Sequence, residues 1–208
     1  MKAEKLKELA KQITSCRRCP LYKSATQAVP GEGNPEAKII FIGEGPGYWE
    51  DQKGIPFCGS SGQLLDELLA LANLDRKDVF IGNVVKHRPP ENRDPEASEI
   101  EACKTWLDQQ IEIIDPQIIV TLGRFSLNKF LPGESISRIH GQLRYVNFAG
   151  KKRMVLPMYH PAAALRGATV MMAIKEDFQK IPDLLKQPEL VEEPRISVDN
   201  NKQLNLIN

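Results

Sequence analysis

Glu44 lies between two glycines in Gly43-Glu44-Gly45-Pro46-Gly47, and His160 opens the run His160-Pro161-Ala162-Ala163-Ala164-Leu165-Arg166. Each follows an apolar run, Ile39-Ile40-Phe41-Ile42 in the first case and Val155-Leu156-Pro157-Met158 in the second. Each run reads as a buried strand, so both motifs are turns at the carboxyl ends of strands. In an open parallel α/β sheet such turns meet in one crevice, and that crevice is where ligands bind. A carboxylate and an imidazole placed there face one substrate. The glycines let backbone amides approach a ligand closely. The turn is not a Walker loop, since no Gly-Lys-Ser/Thr follows, and Pro46 breaks the dinucleotide-binding pattern. Pro161 suits the first turn of a helix, and an imidazole just before it can donate to an oxygen that gains negative charge. Taken singly, a turn carboxylate is as often a solvated or capping group, and a lone histidine after a strand is usually structural.

Two further residues carry the same double reading. Asn83 falls within or at the end of an apolar run, where asparagine is disfavoured. A buried carboxamide offers a donor and an acceptor together, or it satisfies local backbone. Phe57 stands in the glycine-rich Gly54-Ile55-Pro56-Phe57-Cys58-Gly59. It either plugs the core or stacks on a flat base, an interaction worth about 1–3 kcal/mol. His140 sits in a polar loop and is assigned no role. The four cysteines are Cys16, Cys19, Cys58 and Cys103. Cys16-Arg17-Arg18-Cys19 has the spacing of a metal, iron–sulfur or redox pair. Its place after a helix, not between a strand and a helix, disfavours a thioredoxin-like role. A closed metal site needs a fourth ligand beside Cys16, Cys19 and Cys103, and His87 and Cys58 are the candidates. Cys58 and Cys103 also read individually as small buried hydrophobes.

The elements that must position these groups alternate. A helical stripe covers 3–15. Strands are predicted at 38–42, 79–85, 117–122 and 153–158, with an edge strand at 143–148. Helices are predicted after Ser60 or Ser61, at 97–113, at 124–131 and at 168–185, while 20–36 reads as loop. This alternation predicts a three-layer α/β/α fold with a four-stranded, mainly parallel sheet. Residues 1–186 form the expected domain, and 187–208 have little to bury and are expected to be a disordered tail. With 208 residues there is enough chain for a full core. The net charge is +1, and +3 without the acidic tail, which permits nucleic-acid binding without arguing for it. The chain has no run of 18 apolar residues and no secretory pattern at its start, so a cytoplasmic protein is expected.

Together these residues resemble the iron–sulfur, or family 4, uracil-DNA glycosylases of the uracil-DNA glycosylase superfamily. The likeness runs from about Cys16 to about Leu185. It takes in the C-x-x-C, Val29-Pro30-Gly31-Glu32-Gly33, the Glu44 turn, Glu50-Asp51, Gly54-Ile55-Pro56-Phe57 and Ser61-Gly62-Gln63-Leu64-Leu65. It continues through Asn83-Val84-Val85-Lys86, Arg88-Pro89-Pro90, Asn92-Arg93 and His160-Pro161-Ala162. The resemblance implies removal of uracil from single- or double-stranded DNA by base flipping. It implies that Phe57 stacks on uracil, Asn83 reads its Watson–Crick edge and His160 stabilises the departing anion at O2. Glu44 and Gly45 line the pocket, with Glu44 positioning water or stabilising the cationic sugar. Leu165 is the wedge and Arg166 a phosphate contact, with Lys86 and Arg88 as further basic contacts. A monomer is expected, since one enzyme molecule suffices to flip one base.

This chain departs from the family pattern at three places. His87 stands where the family has a cysteine. The implied cofactor is therefore a 4Fe-4S cluster on Cys16, Cys19, His87 and Cys103, histidine being a known cluster ligand. Zinc also accepts Cys₃His, and loss of the cluster is the third alternative. Cys58 stands where an apolar valine is expected. Tyr48-Trp49 replaces an acidic pair, and a tyrosine there is similar to the group that shields the pocket from thymine in other superfamily members. Two other readings remain: a uracil-DNA binder that forms a covalent adduct through a histidine, prompted by His87, and a non-catalytic metal-bearing DNA-binding module.

Overall fold

The computed structural model describes residues 1–186, so the expected tail at 187–208 lies outside the described residues. In chain order, α1 (Lys2–Thr14) leads through a 3-10 turn to the short β1 (Glu32–Gly33). Next come β2 (Ile39–Gly43), α2 (Tyr48–Lys53), α3 (Ser60–Leu71) and β3 (Phe80–Asn83). They are followed by α4 (Ala97–Ile114), β4 (Ile118–Leu122), α5 (Arg124–Phe130), α6 (Ile136–Ile139), β5 (Arg144–Phe148) and β6 (Lys151–Met158). The described chain ends with α7 (Pro161–Ala164), α8 (Ala168–Gln179) and α9 (Ile181–Leu185).

The sheet has six strands in the order β1-β3-β2-β4-β6-β5, which corrects the expectation of four. Strands β3, β2, β4 and β6 are parallel to one another, whereas β1 and β5 add antiparallel edges. β5 is the predicted edge strand. β1 escaped prediction because its two residues, Glu32 and Gly33, carry no apolar pattern. Gly33 must stay side-chain-free there: a Cβ would lie 2.0 Å from the Val79 carbonyl. The predicted helix over 168–185 is interrupted between Gln179 and Ile181, because Pro182 cannot supply the amide that an unbroken helix needs.

The central strands are buried on both faces, and their alternation sorts the core into two layers. Ile39, Phe41, Ile81, Val120 and Leu156 pack with α3 and α8 on one face. Ile40, Ile42, Phe80, Ile119 and Val155 pack with α1 and α4 on the other. This is the α/β/α layering the sequence implies. Strand β2 pairs with both β3 and β4, and the carboxyl ends of β2, β3, β4 and β6 lead into one cleft.

Candidate active site

The cleft has a volume of about 590 Å³ and is lined by residues from all four parallel strand ends. The Glu44 turn follows β2, Asn83 ends β3, Gly123 and Arg124 follow β4, and Tyr159 and His160 follow β6. Phe57 and Arg166 also line it. The predicted site residues Glu44, Gly45, Phe57, Asn83, His160 and Arg166 are therefore brought together. Leu165 is half exposed on the same turn as Arg166.

Close approach sets the floor of the cleft. A Cβ on Gly43 would lie 2.5 Å from Asn83 Oδ1 and 2.5 Å from the Phe57 ring, so only glycine admits both. Asn83 is 2% exposed, and its Oδ1 has no hydrogen-bond partner. A buried acceptor left unpaired costs stability, and this one stands ready for a donor on a ligand. The Phe57 ring stacks on the His160 ring with centroids 5.5 Å apart and an interplanar angle of 27°.

His160 caps α7, its Nδ1 accepting from the Ala162 amide at 3.1 Å. That bond fixes the neutral tautomer, leaving the proton on Nε2. Burial pushes the His160 pKa down to about 4, against a smaller opposing pull from Glu50. The ring is thus a neutral donor at neutral pH. Burial also raises the pKa of Glu44, and the nearby Asp94 carboxylate raises it further while Arg124 opposes. Arg124 is ion-paired with Asp94 at the cleft.

Phe57 has a left-handed backbone, φ 50°, which a bulky residue adopts only when its surroundings hold it there. Glu50 Oε1 accepts from the amides of Cys58 and Gly59, both at 2.9 Å. Arg76 donates to the carbonyls of Pro56 and Phe57. Gly62 is a third support, since a Cβ there would come 1.7 Å from the Phe57 carbonyl oxygen. The helix α3 is capped by Gly59, not by the predicted serines, and makes no side-chain cap bond there.

Sequence reasoning missed Asp94 and Arg124 in the cleft. The signal for Arg124 was available, because Gly123-Arg124 stands at the carboxyl end of a predicted strand. Lys86, expected on DNA, is instead fully buried. Its ammonium donates to the Asn83 carbonyl at 2.9 Å and to Gln110 Oε1 at 2.6 Å, so it ties down the end of β3 from beneath. Asp51 is also buried and accepts from the Thr26 amide at 2.9 Å. Tyr48 lies outside the lining of the cleft and is half exposed, so it does not stand as a shield over the pocket. His140 pairs with Asp177 at 2.8 Å in a structural contact.

The match with known proteins agrees with this geometry. The family model of the uracil DNA glycosylase superfamily matches residues 30–186. The chain belongs to the uracil-DNA glycosylase superfamily. It is 47% identical to the type-4 uracil-DNA glycosylase of Archaeoglobus fulgidus over 90% of this chain and 98% of that protein. It is 45% identical to the type-4 enzyme of Sulfurisphaera tokodaii over 89% of this chain and 87% of that protein. To the type-5 uracil-DNA glycosylase of Pyrobaculum aerophilum it is 28% identical over 74% of this chain and 81% of that protein.

The metal-ligand expectation for this superfamily member fares differently. Cys16, Cys19 and Cys103 lie near one another in the layer beneath α1 and α4. Trp106 Nε1 donates to the Cys16 sulfur at 3.3 Å, and the Lys86 amide donates to the Cys103 sulfur. Burial pushes the Cys103 thiol up to about 11. His87 is buried, which lowers its pKa, and the charge that acts on it is the Asp51 carboxylate. Cys58 has Glu50, Lys53 and Arg76 as its charged neighbours. Among the described residues no three or more His, Cys, Asp or Glu side chains gather closely enough to hold a metal ion. The four-ligand set Cys16, Cys19, His87 and Cys103 is therefore not assembled as it stands. None of the four lines the cleft.

Proposed function

We propose that this protein is a monofunctional uracil-DNA glycosylase acting in DNA repair. The observation that carries this reading is the partnerless Asn83 Oδ1 at the base of a cleft whose wall is an aromatic ring and a neutral imidazole. Uracil presents an N3–H that such an acceptor takes, while cytosine presents a lone pair there. A base inside a duplex is out of reach, so the nucleotide is flipped into the cleft at a cost of a few kcal/mol. Leu165 fills the space it leaves, and Arg166 meets a phosphate.

In the reaction the C1′–N1 bond breaks and its electron pair moves onto uracil. His160 Nε2–H donates to the oxygen at C2 as charge builds there. The sugar becomes oxocarbenium-like, and the Glu44 carboxylate stabilises it or orients the attacking water. Water adds to C1′ and the proton it loses ends on the uracil anion, leaving neutral free uracil and an abasic site. No step passes through a metal. Cys16, Cys19 and Cys103 are the three sulfur donors that would hold the cluster implied by the resemblance, and His87, which stands where the family has a cysteine, would have to be the fourth ligand. Covalent capture by His87 finds no support, because that residue is buried and does not line the cleft. Among the described residues no helix is long and apolar enough to cross a membrane, and a DNA substrate supports the reading of a cytoplasmic enzyme.

The test is incubation with uracil-containing single- and double-stranded oligonucleotides, followed by denaturing gels with and without alkali. Strand cleavage at uracil that depends on alkali is the expected result. An SDS-resistant protein–DNA band would instead indicate the covalent trapper. Equal binding of DNA with and without uracil, and no cleavage, would indicate a non-catalytic module.

A further inference from the structure

Tyr48 and Trp49 are 50% and 55% exposed, although aromatic side chains of this size ordinarily find a core or a partner. They open α2 directly after Gly47, a residue of the cleft wall, and precede Glu50, another. The two rings brace each other edge to face, with centroids 5.1 Å apart and planes at 78°. Each ring also has a cation over one of its faces. The Arg88 guanidinium lies 5.2 Å from the Tyr48 ring centre, and the Lys53 ammonium lies 5.8 Å from that of Trp49. Arg88 is held by a 2.8 Å bond to Asn92, which lines the cleft, as does its neighbour Pro89. The acid of this segment that borders the cleft, Glu50, is engaged by the Cys58 and Gly59 amides. The rim therefore offers exposed π faces and flanking positive charge, continuous with the cleft.

We propose that Tyr48 and Trp49 form a second base-binding surface outside the uracil pocket, on which an unpaired base next to the flipped uracil stacks. Arg88 and Lys53 meet the phosphates on either side of that base. This inference rests on the uracil-DNA reading of the cleft and adds a preference for single-stranded substrate. Stacking platforms of this kind tolerate any sequence, because every base has a π face. A segment of a partner protein fits less well, because the surface pairs its aromatic rings with cations, the combination that suits bases linked by phosphates.

The decisive measurement is steady-state kinetics on single-stranded oligonucleotides with one uracil, flanked by normal nucleotides or by abasic residues. On the normally flanked strand, Trp49→Ala and Tyr48→Ala are expected to raise KM by between about fivefold and a hundredfold. The loss falls on KM, not kcat, and Trp49→Phe restores most of it. On the abasic-flanked strand the unaltered protein loses a similar factor, and the alanine variants lose nothing further. An unchanged KM in the variants, as a protein-docking role would give, overturns the proposal. So does an equal loss on both strands. If the unaltered protein releases no uracil from any substrate, it is the uracil reading that fails. Anisotropy-monitored binding of the same two oligonucleotides then decides the platform by the same comparison.

Discussion

Glu44 and His160 are two titratable groups whose surroundings shift them in opposite directions, the carboxyl up and the imidazole down. Glu44 has its pKa raised, chiefly by burial. It is therefore charged above that raised value and loses its charge as pH falls through it. His160, lowered to about 4, is already neutral throughout that window. The acid limb of the kcat profile should thus belong to Glu44, lie above the ordinary carboxylate value and vanish in Glu44→Gln, leaving a slow, flat profile. His160→Ala should cost about 10²–10³ in kcat, the usual loss of one well-placed donor to a developing anion. Asn83→Ala should lower kcat/KM by about tenfold or more while changing Tm little, because Oδ1 makes no bond in the free protein. Thermal melting alongside single-turnover excision checks that separation. All three residue types were legible in the sequence. The orphaned oxygen and the tautomer were not, because each depends on where a neighbour 2–3 Å away happens to lie.

The Phe57 loop is where elements cooperate. Its left-handed residue is held by Glu50 from α2, by Arg76 from the turn before β3 and by the missing side chain at Gly62 in α3. Gly62→Ala should push the loop away, lowering Tm and raising KM for uracil DNA, as differential scanning calorimetry and kinetics would read. Glu50→Ala leaves the Cys58 and Gly59 amides without their acceptor and should cost about 1–2 kcal/mol. The glycines of this loop were conspicuous in the sequence, but the reason for them lies in contacts between separate elements. Lys86 makes the same point. A lysine beside Arg88 in a polar, proline-rich stretch reads as a surface cation. It is buried because Asn83 and Gln110 supply two oxygens for its ammonium, and no local periodicity announces them.

At the scale of the molecule, chemistry and cysteines occupy different places. The cleft gathers four strand ends, while Cys16, Cys19 and Cys103 tie the N-terminal segment to α4. Cys103→Ser buries a hydroxyl among apolar groups, and should lower Tm while leaving kcat unchanged at temperatures where the protein stays folded. A fall in kcat there would join the two regions functionally. The sequence by itself determined the α/β/α alternation and the strand ends that carry Glu44, Asn83 and His160. It could do so because burial on both faces forces a continuous apolar run, and a turn residue must follow it. Only the tertiary structure decided that β1 adds a second edge and that both edges run antiparallel, that Lys86 lies inside, and that His87 has Asp51 as its charged neighbour. Those outcomes depend on pairing and desolvation between segments far apart in the chain, and such energies leave no mark on the spacing of residues within any one segment.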